Sequence, residues 1–176
     1  GNHGIVTVHR AENTDDLDRL RCLLDAFNQI AESGLPLVFP VHPRTRQRIR
    51  SELVDWRPHI KLMLIEPVGY LDMLWLLDHA SVALTDSGGL QKEAFFLGCP
   101  CVTLRDETEW VETVELGGNI LAGTSGAKIL AAVDRWETIG RDGRSELSQM
   151  AGEVFGKGEA SATILDALIR LGGRGT

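Results

Sequence analysis

One stretch, SVALTDSGGLQKEAFFLG at residues 81–98, decides the fold. It joins a short apolar run to a helical segment through Asp-Ser-Gly-Gly, which leaves no room for a long loop. Similar apolar runs precede it at Gly4–Val8, Leu37–Val41 and Ile60–Ile65, and helical spacing of apolar residues lies between them. This alternation is the pattern of βαβ units around a parallel sheet. We therefore predict a doubly wound, Rossmann-like α/β domain with a mostly parallel sheet flanked by helices.

The remaining elements are predicted from the same spacing. The first helix is expected to begin at a cap formed by Asn13 or Thr14, since Asp15 and Asp16 suit a first turn. Residues 140–159 show little periodicity, and no element is assigned there. The other predicted strands and helices are Tyr70–Leu77, Ser81–Thr85, Pro100–Leu104, Glu109–Leu116, Asn119–Leu121, Ala127–Ile139 and Ala162–Leu171.

The bulk composition bounds the class of protein. A chain of 176 residues is long enough for one compact domain and too short for two, so residues 1–176 are treated as a single domain. The net charge of -7 argues against a nucleic-acid partner. No apolar run approaches the roughly 18 residues that span a bilayer, and no secretory signal pattern opens the sequence. We expect no membrane partner and a cytoplasmic location.

Several kinds of site are unsupported by the sequence. Cys22, Cys99 and Cys101 form an odd set without metal-type spacing, and we interpret them as small core residues in a reducing compartment. No spacing of His, Asp and Glu resembles a metal site. The sequence also lacks the GxGxxG of a dinucleotide fold, the GK[ST] of a P-loop and the G-x-S-x-G of a hydrolase. We therefore expect no metal and no cofactor.

The sharpest candidate site is the turn of Ser87, Gly88 and Gly89, which follows a strand and opens a helix. Backbone N–H groups at a helix N-terminus lack intrahelical partners, and two glycines let a phosphate approach them closely. Ser87 either adds a hydroxyl donor or caps the helix. Glu93 lies about two turns further along, where its carboxylate suits both hydroxyls of a ribose. The alternative is an ordinary turn with a solvated glutamate.

Polar clusters follow three other predicted strands. In His9-Arg10-Ala11-Glu12, a histidine that shuttles protons near neutral pH stands beside an arginine that forks onto phosphates. Two prolines rigidify the turn that holds His42 and Arg44 at the rim, whereas the three later arginines, Arg46, Arg48 and Arg50, are interpreted as a solvated helix face. Arg105 and Glu109 belong to a polar loop that either holds a sugar or orders itself. The carboxyl ends of parallel strands meet at one edge, so these clusters are predicted to share a rim.

The ordered set of these motifs resembles the non-hydrolysing UDP-N-acetylglucosamine 2-epimerases. The resemblance runs from about Ile5 to Leu168 and covers only the C-terminal half of that family's two-domain, GT-B-like protein. One departure is Trp110-Val111, where many relatives carry Arg-Pro. The segments that carry the resemblance are VTVHRAEN, VFPVHPRT, LIEPVGYLDMLWLL, LTDSGGLQKEAFFLGCPCVTLRDETEWVETVELG and FGKGEASATILDAL.

The resemblance implies a UDP-binding domain. Ser87, Gly88 and Gly89 would bind the diphosphate, Glu93 the ribose, and the loop Pro67–Leu71 the uracil, with Tyr70 or Leu71 against the ring. The implied reaction inverts C2 of the GlcNAc unit through elimination and re-addition of UDP, without cofactor or metal. Such enzymes belong to polysaccharide biosynthesis. Relatives are usually homodimers at full length, and this domain alone is expected to be inactive without the N-terminal domain.

The resemblance also suggests roles for the polar clusters. His9 matches a position important for activity, and we predict His9 and Glu12 as catalytic residues. Arg10 and His42 match positions that contact a second UDP-GlcNAc acting as activator in bacterial members. Arg105 and Glu109 are predicted as further substrate or allosteric contacts.

Three other interpretations of the chain stay open. One is the nucleotide-binding half of a GT-B glycosyltransferase, although the HRAEN and PVHPRT segments favour the epimerase. A second is a 2-epimerase for a related UDP-diacetamido-uronic acid, because Trp110-Val111 changes the expected sugar contacts. The third is a regulatory domain that senses nucleotides without catalysis.

Overall fold

The computed structural model describes residues 2–139, 142–156 and 158–172, and its core is a sheet of six parallel strands. The strand order is β3-β2-β1-β4-β5-β6, the order of the doubly wound nucleotide-binding fold. Each strand begins and ends within two residues of its predicted bounds. The predicted fold class is therefore confirmed. The strands are β1 (Gly4–Thr7), β2 (Leu37–Pro40), β3 (Leu62–Ile65), β4 (Val82–Thr85), β5 (Cys101–Thr103) and β6 (Asn119–Leu121).

Helices cover both faces of the sheet, so the central strands are buried on both sides. Successive residues of a strand point to opposite faces: Val6 and Leu84 pack with one core, Ile5 and Ala83 with the other. Strands buried in this way are continuous apolar runs without alternation. The helices are α1 (Ala11–Thr14), α2 (Leu17–Ser33), α3 (Pro43–Glu52), α4 (Tyr70–His79), α5 (Gly88–Phe96), α6 (Val111–Glu115), α7 (Gly126–Ile139), α8 (Asp142–Phe155) and α9 (Ala160–Gly172).

The first helix does not begin at the predicted cap. Asn13 and Thr14 are completely buried within the short helix α1, and the long helix α2 begins after Asp16. The Asp16 carboxylate accepts the backbone N–H groups of Asp18 and Arg19 at 3.0 Å. The cap prediction was wrong because a carboxylate at Asp16 satisfies the first turn of α2, which frees Asn13 for a buried role.

Helix α8 forms in the segment for which no element was predicted. Leu147 and Ala151 of α8 are buried against Phe95, and Met150 and Phe155 of the same helix pack against this cluster. Much of its attachment is polar, since the Arg144 guanidinium donates to the carbonyl oxygens of Ala80 at 2.7 Å and Asp78 at 2.8 Å. The packed residues Leu147, Met150, Ala151 and Phe155 recur at helical spacing, so the expectation of little periodicity over residues 140–159 was wrong.

The cysteines divide into two kinds. Cys99 and Cys101 are buried, and burial raises the pKa of the Cys99 thiol to about 12. These two residues are therefore small core residues, as predicted. Cys22 is exposed on α2, so its prediction as a core residue was wrong.

The last helix, α9, is exposed along its described side chains, including Ile164, Leu165, Leu168 and Ile169. Its length and composition do not make it a membrane helix. Within the part of the chain that the structure describes, no helix is both long enough and apolar enough to cross a bilayer.

Gly98 gives a test of how α8 is attached. Gly98 and Gly117 both have a positive φ, 65° and 75°, but a Cβ at Gly98 would meet the backbone carbonyl oxygen of Arg144, whereas one at Gly117 would meet open space. We expect Gly117→Ala to lower the free energy of unfolding by about 1 kcal/mol through backbone strain alone. Gly98→Ala should cost about 2 kcal/mol more, because α8 must move. Urea unfolding of both variants measures the difference, and equal losses would contradict this packing.

Candidate functional site

A cleft of about 340 Å³ opens at the carboxyl ends of β1, β2 and β4. Three residues predicted to share the rim, His9, His42 and Ser87, line it together with Tyr70, the predicted uracil contact, although 78 positions separate His9 from Ser87. The walls between them are mostly apolar. The lining residues are Thr7, Val8, His9, Pro40, His42, Pro67, Val68, Tyr70, Met73, Ser87 and Leu90.

Asp86, for which no role was predicted from the sequence, fixes the loop after β1 on one side of this cleft. Its fully buried carboxylate accepts hydrogen bonds from the backbone N–H groups of His9 at 3.0 Å and Arg10 at 2.9 Å, and from the Asn13 side-chain amide at 3.2 Å. Its second oxygen lies 3.2 Å from His9 Nδ1. The sequence does contain a signal for this role. Asp86 directly precedes Ser-Gly-Gly, and Ser87 caps the helix, so the Asp86 carboxylate is free to bond elsewhere.

The first turn of α5 is capped by Ser87 and packs against the loop that carries Glu109, and Gly88 and Gly89 are not among the residues that line the cleft. Ser87 Oγ accepts the N–H of Leu90 at 3.4 Å, so it caps the helix, and the Trp110 indole donates to the Gly88 carbonyl at 2.8 Å. A Cβ at Gly88 would lie 3.0 Å from a carboxylate oxygen of Glu109. A larger residue at Gly88 would therefore require the Glu109 carboxylate to shift by a few tenths of an ångström. Gly89 follows in the same turn.

Tyr70 connects the opposite wall of the cleft to the second turn of α5. Its side chain is 63% exposed, and its hydroxyl is close enough to the Glu93 carboxylate for each group to affect the pKa of the other. Burial raises the pKa of Glu93, while the Tyr70 bond acts in the opposite direction. Glu93 itself raises the pKa of the Tyr70 hydroxyl, chiefly through its charge. Leu71, the other predicted uracil contact, is 77% exposed and is not among the lining residues.

Arg105 gathers the acidic residues of the rim. Its guanidinium is almost fully buried and donates to Glu12 at 3.1 Å and to both oxygens of Glu109 at 2.8 and 3.0 Å. These bonds to Arg105 are the main reason that the pKa of Glu109 is lowered. Arg10 adds a contact of 3.5 Å to Glu109. The structure therefore places Glu12, Arg10, Arg105 and Glu109 in one ion-pair network.

A buried amide fixes the loop that carries Arg105. Gln91 Oε1 accepts the Thr108 hydroxyl at 2.6 Å and the Asn119 amide at 3.3 Å. Thr108 Oγ1 accepts the backbone N–H of Trp110 at 3.0 Å. Because these partners come from α5, β6 and the loop itself, the loop conformation depends on contacts that no local sequence pattern indicates.

His42 caps helix α3 with its own ring. Its Nδ1 accepts the N–H of Arg44 at 3.3 Å, and the ring centroid lies 6.4 Å from that of His9. The Arg44 guanidinium turns away from the cleft to Asp15, with N–O distances of 2.5 and 2.7 Å. Arg44, predicted at the rim with His42, is therefore not among the cleft-lining residues. The expectation that the three later arginines lie on an exposed helix face holds for Arg50. Arg46 and Arg48 are only partly exposed.

Comparison with known proteins identifies the family. A family model described as UDP-N-acetylglucosamine 2-epimerase matches residues 1–169. The chain belongs to the UDP-N-acetylglucosamine 2-epimerase family. A related UDP-2,3-diacetamido-2,3-dideoxy-D-glucuronate 2-epimerase from Pseudomonas aeruginosa is 46% identical over 167 residues, which are 95% of this chain and 44% of that protein. The UDP-N-acetylglucosamine 2-epimerase of Methanocaldococcus jannaschii is 45% identical over 133 residues, 74% of this chain and 36% of that protein.

Solved structures of this epimerase family have the same fold. The M. jannaschii epimerase in complex with UDP-GlcNAc and UDP matches with a TM-score of 0.72 and 42% identity, over 76% of this chain and 38% of that one. A glycosyltransferase of kitacinnamycin shares the fold at a TM-score of 0.67 but only 18% identity, over 94% of this chain and 43% of that one. The chain spans less than half the length of the curated relatives it matches.

Glu93 and Glu109 should respond to substitution in opposite directions. The pKa of Glu93 is raised above its ordinary 4.5, so ionised Glu93 opposes folding above that pKa, and the opposition is relieved as the pH falls through it. The pKa of Glu109 is lowered, so its contribution favours folding above about pH 4.5 and is lost as the pH falls through the lowered value. We expect Glu93→Gln to stabilise the domain at about pH 7 and Glu109→Gln to destabilise it.

Urea unfolding at about pH 7 and at about pH 4.5 tests both substitutions. The gain from Glu93→Gln should shrink at the lower pH, where Glu93 is already being protonated. If Glu93→Gln is instead less stable than the natural protein at the higher pH, the hydrogen bond from Tyr70 outweighs the effect of burial.

Proposed function

We propose that this chain is the UDP-binding domain of a sugar-nucleotide 2-epimerase, an isomerase that interconverts UDP-GlcNAc and UDP-ManNAc or acts on a close relative of that substrate. One observation carries the proposal: His9, His42, Tyr70 and Ser87 line a single cleft at the N-terminus of α5. The family and the relative whose structure holds UDP-GlcNAc and UDP support the same ligand.

The diphosphate in this proposal binds at the first turn of α5. The N–H groups of Gly88 and Gly89 carry the positive end of the helix dipole, and Ser87 stands at the same end. Glu109 is close enough to repel an anion there. Its pairing with Arg105 and Arg10 offsets that charge, so the ion-pair network has a direct use in the proposed site.

The nucleoside lies between α4 and α5. The Glu93 carboxylate accepts hydrogen bonds from the two ribose hydroxyls. These bonds replace the interaction of Glu93 with the Tyr70 hydroxyl in the ligand-free domain. Pro67, Val68 and Tyr70 line the cleft and offer apolar surface to the uracil ring. Tyr70 is a better candidate than Leu71 for this contact because Leu71 is not among the lining residues.

The proposed reaction breaks the bond between C1 and the UDP oxygen and removes the proton from C2, which leaves UDP and a glycal. Return of the proton to the other face of C2, with UDP re-added at C1, completes the inversion. His9 is positioned to assist the leaving diphosphate. Glu12 is bonded to Arg105, which gives it a positioning role. His42 and Arg10 remain candidates for a second nucleotide site.

The full activity needs a partner segment, because the related enzymes are more than twice the length of this chain. In this proposal that segment supplies the second wall of the cleft, and the complete protein is a cytoplasmic homodimer that serves polysaccharide biosynthesis. The diacetamido-glucuronate relative, at 46% identity, makes the corresponding uronic acid a second candidate substrate.

Calorimetric titration of this chain with UDP, and with ADP for comparison, tests the proposed ligand. We expect binding of UDP that ADP does not match. Glu93→Gln should weaken UDP binding about tenfold, or about 1.4 kcal/mol, because a charged acceptor for the ribose is lost. Glu32→Gln, which changes an exposed glutamate near the end of α2, should leave the affinity unchanged.

Equal binding of UDP and ADP, or no binding of either, would refute the uridine assignment. The choice between epimerase and transferase needs a protein extended to the length of its relatives. Incubated with UDP-GlcNAc, the extended protein should release the C2 epimer, and transfer of the sugar to an acceptor would contradict the epimerase.

A further inference from the structure

In the two histidines of the cleft, Nδ1 lies beside different groups: an acceptor at His9 and a donor at His42. His9 Nδ1 lies 3.2 Å from a carboxylate oxygen of Asp86, whereas His42 Nδ1 accepts the backbone N–H of Arg44 at 3.3 Å. We propose that the two rings hold opposite neutral tautomers, His9 with its proton on Nδ1 and His42 with its proton on Nε2, and that Asp86 is the positioning residue that sets the His9 tautomer.

The Asp86 carboxylate determines which ring nitrogen of His9 carries the proton. An ionised carboxylate is only an acceptor, and its two oxygens offer lone pairs in every direction toward the ring. An unprotonated Nδ1 at 3.2 Å would set lone pair against lone pair beside a carboxylate that is itself fully buried, although 42% of the His9 side chain is exposed. A proton on Nδ1 removes this repulsion and gains a charge-assisted attraction. Nε2, on the other side of the ring, then keeps its lone pair.

At His42, the group beside Nδ1 is a hydrogen-bond donor and not an acceptor. A ring nitrogen that accepts a hydrogen bond cannot carry a proton, so the N–H of Arg44 fixes the proton of the neutral ring on Nε2. His59, which lies away from the cleft, has the same pattern, since its Nδ1 accepts the N–H of Lys61 at 3.2 Å. His59 therefore serves as an internal reference for the Nε2–H form.

The two histidines therefore have different hydrogen-bonding roles toward a ligand in the cleft. This consequence rests on the proposed function. His42 offers an N–H donor and suits a phosphate or carbonyl oxygen. His9 offers an acceptor nitrogen, Nε2, which bonds to an anionic diphosphate only with a proton taken from solvent, and in this proposal that proton passes to the departing UDP oxygen. The tautomers themselves are a property of the ligand-free domain.

Nitrogen NMR of the ring nitrogens tests the tautomers in the unmodified chain without ligand. Long-range proton–nitrogen spectra at about pH 8.5, where ordinary histidines are neutral, distinguish protonated from unprotonated ring nitrogens. The signals are assigned from His9→Gln and His42→Gln. We expect the Nδ1–H pattern for His9 and the Nε2–H pattern for His42 and His59. The same tautomer for His9 and His42 would overturn the proposal.

Asp86→Asn tests the positioning role. One oxygen of Asp86 accepts the N–H of His9 at 3.0 Å, the N–H of Arg10 and the amide of Asn13, and the carbonyl oxygen of an asparagine can replace it. The other oxygen shares the His9 N–H at 3.2 Å, and this longer contact is lost in the variant. The asparagine NH2 then replaces the oxygen beside His9 Nδ1 and becomes a donor. His9 should switch to the Nε2–H form while His42 stays unchanged.

A folded Asp86→Asn protein in which His9 keeps its Nδ1 proton would refute the role of Asp86. The spectrum of the unmodified chain decides the tautomers even if this variant does not fold. Because no nucleotide is present, failure of the UDP titration would refute the proposed function and leave this result intact.

Discussion

The buried carboxylate of Asp86 holds the end of β4 to the loop after β1. A carboxylate without water is costly unless hydrogen bonds satisfy it, and here two backbone N–H groups and the Asn13 amide do so. Each of those partners lies more than 70 positions away in the sequence. The same oxygen atoms therefore fix the position of His9 relative to Ser87, and the polar side of the cleft depends on them.

Two scales of interaction build the site. The parallel sheet brings the ends of β1, β2 and β4 to one edge, which is a consequence of strand direction and apolar burial alone. The orientation of each side chain at that edge then depends on polar contacts between loops. Arg105 joins α1 to the β5 loop, and Gln91 holds that loop through Thr108. The sheet therefore determines which residues meet, and the buried polar groups determine how they meet.

This division explains what the sequence predicts. Strands buried on both faces are continuous apolar runs, and the Ser-Gly-Gly turn is local, so the fold class and the rim were predictable from short windows. The pairing of Asp86 with His9 is not local, and neither is the attachment of α8 through Arg144 to carbonyl oxygens. Such contacts leave no periodicity, because a side chain that bonds to a distant backbone group needs no particular neighbours in the sequence.

Trp110, which departs from the residue expected by resemblance, makes specific contacts with its neighbours. Where the resemblance leads one to expect arginine, an indole donates to the Gly88 carbonyl and lies 4.3 Å from the Lys92 ammonium. The indole thus supports the first turn of α5 without adding a positive charge beside it. Lys92 also contacts the Phe155 ring at 4.6 Å, which engages this cation in ring contacts. In the proposed site, anion binding at this end of α5 would therefore rely on backbone N–H groups and on the balance between Glu109 and its two arginines.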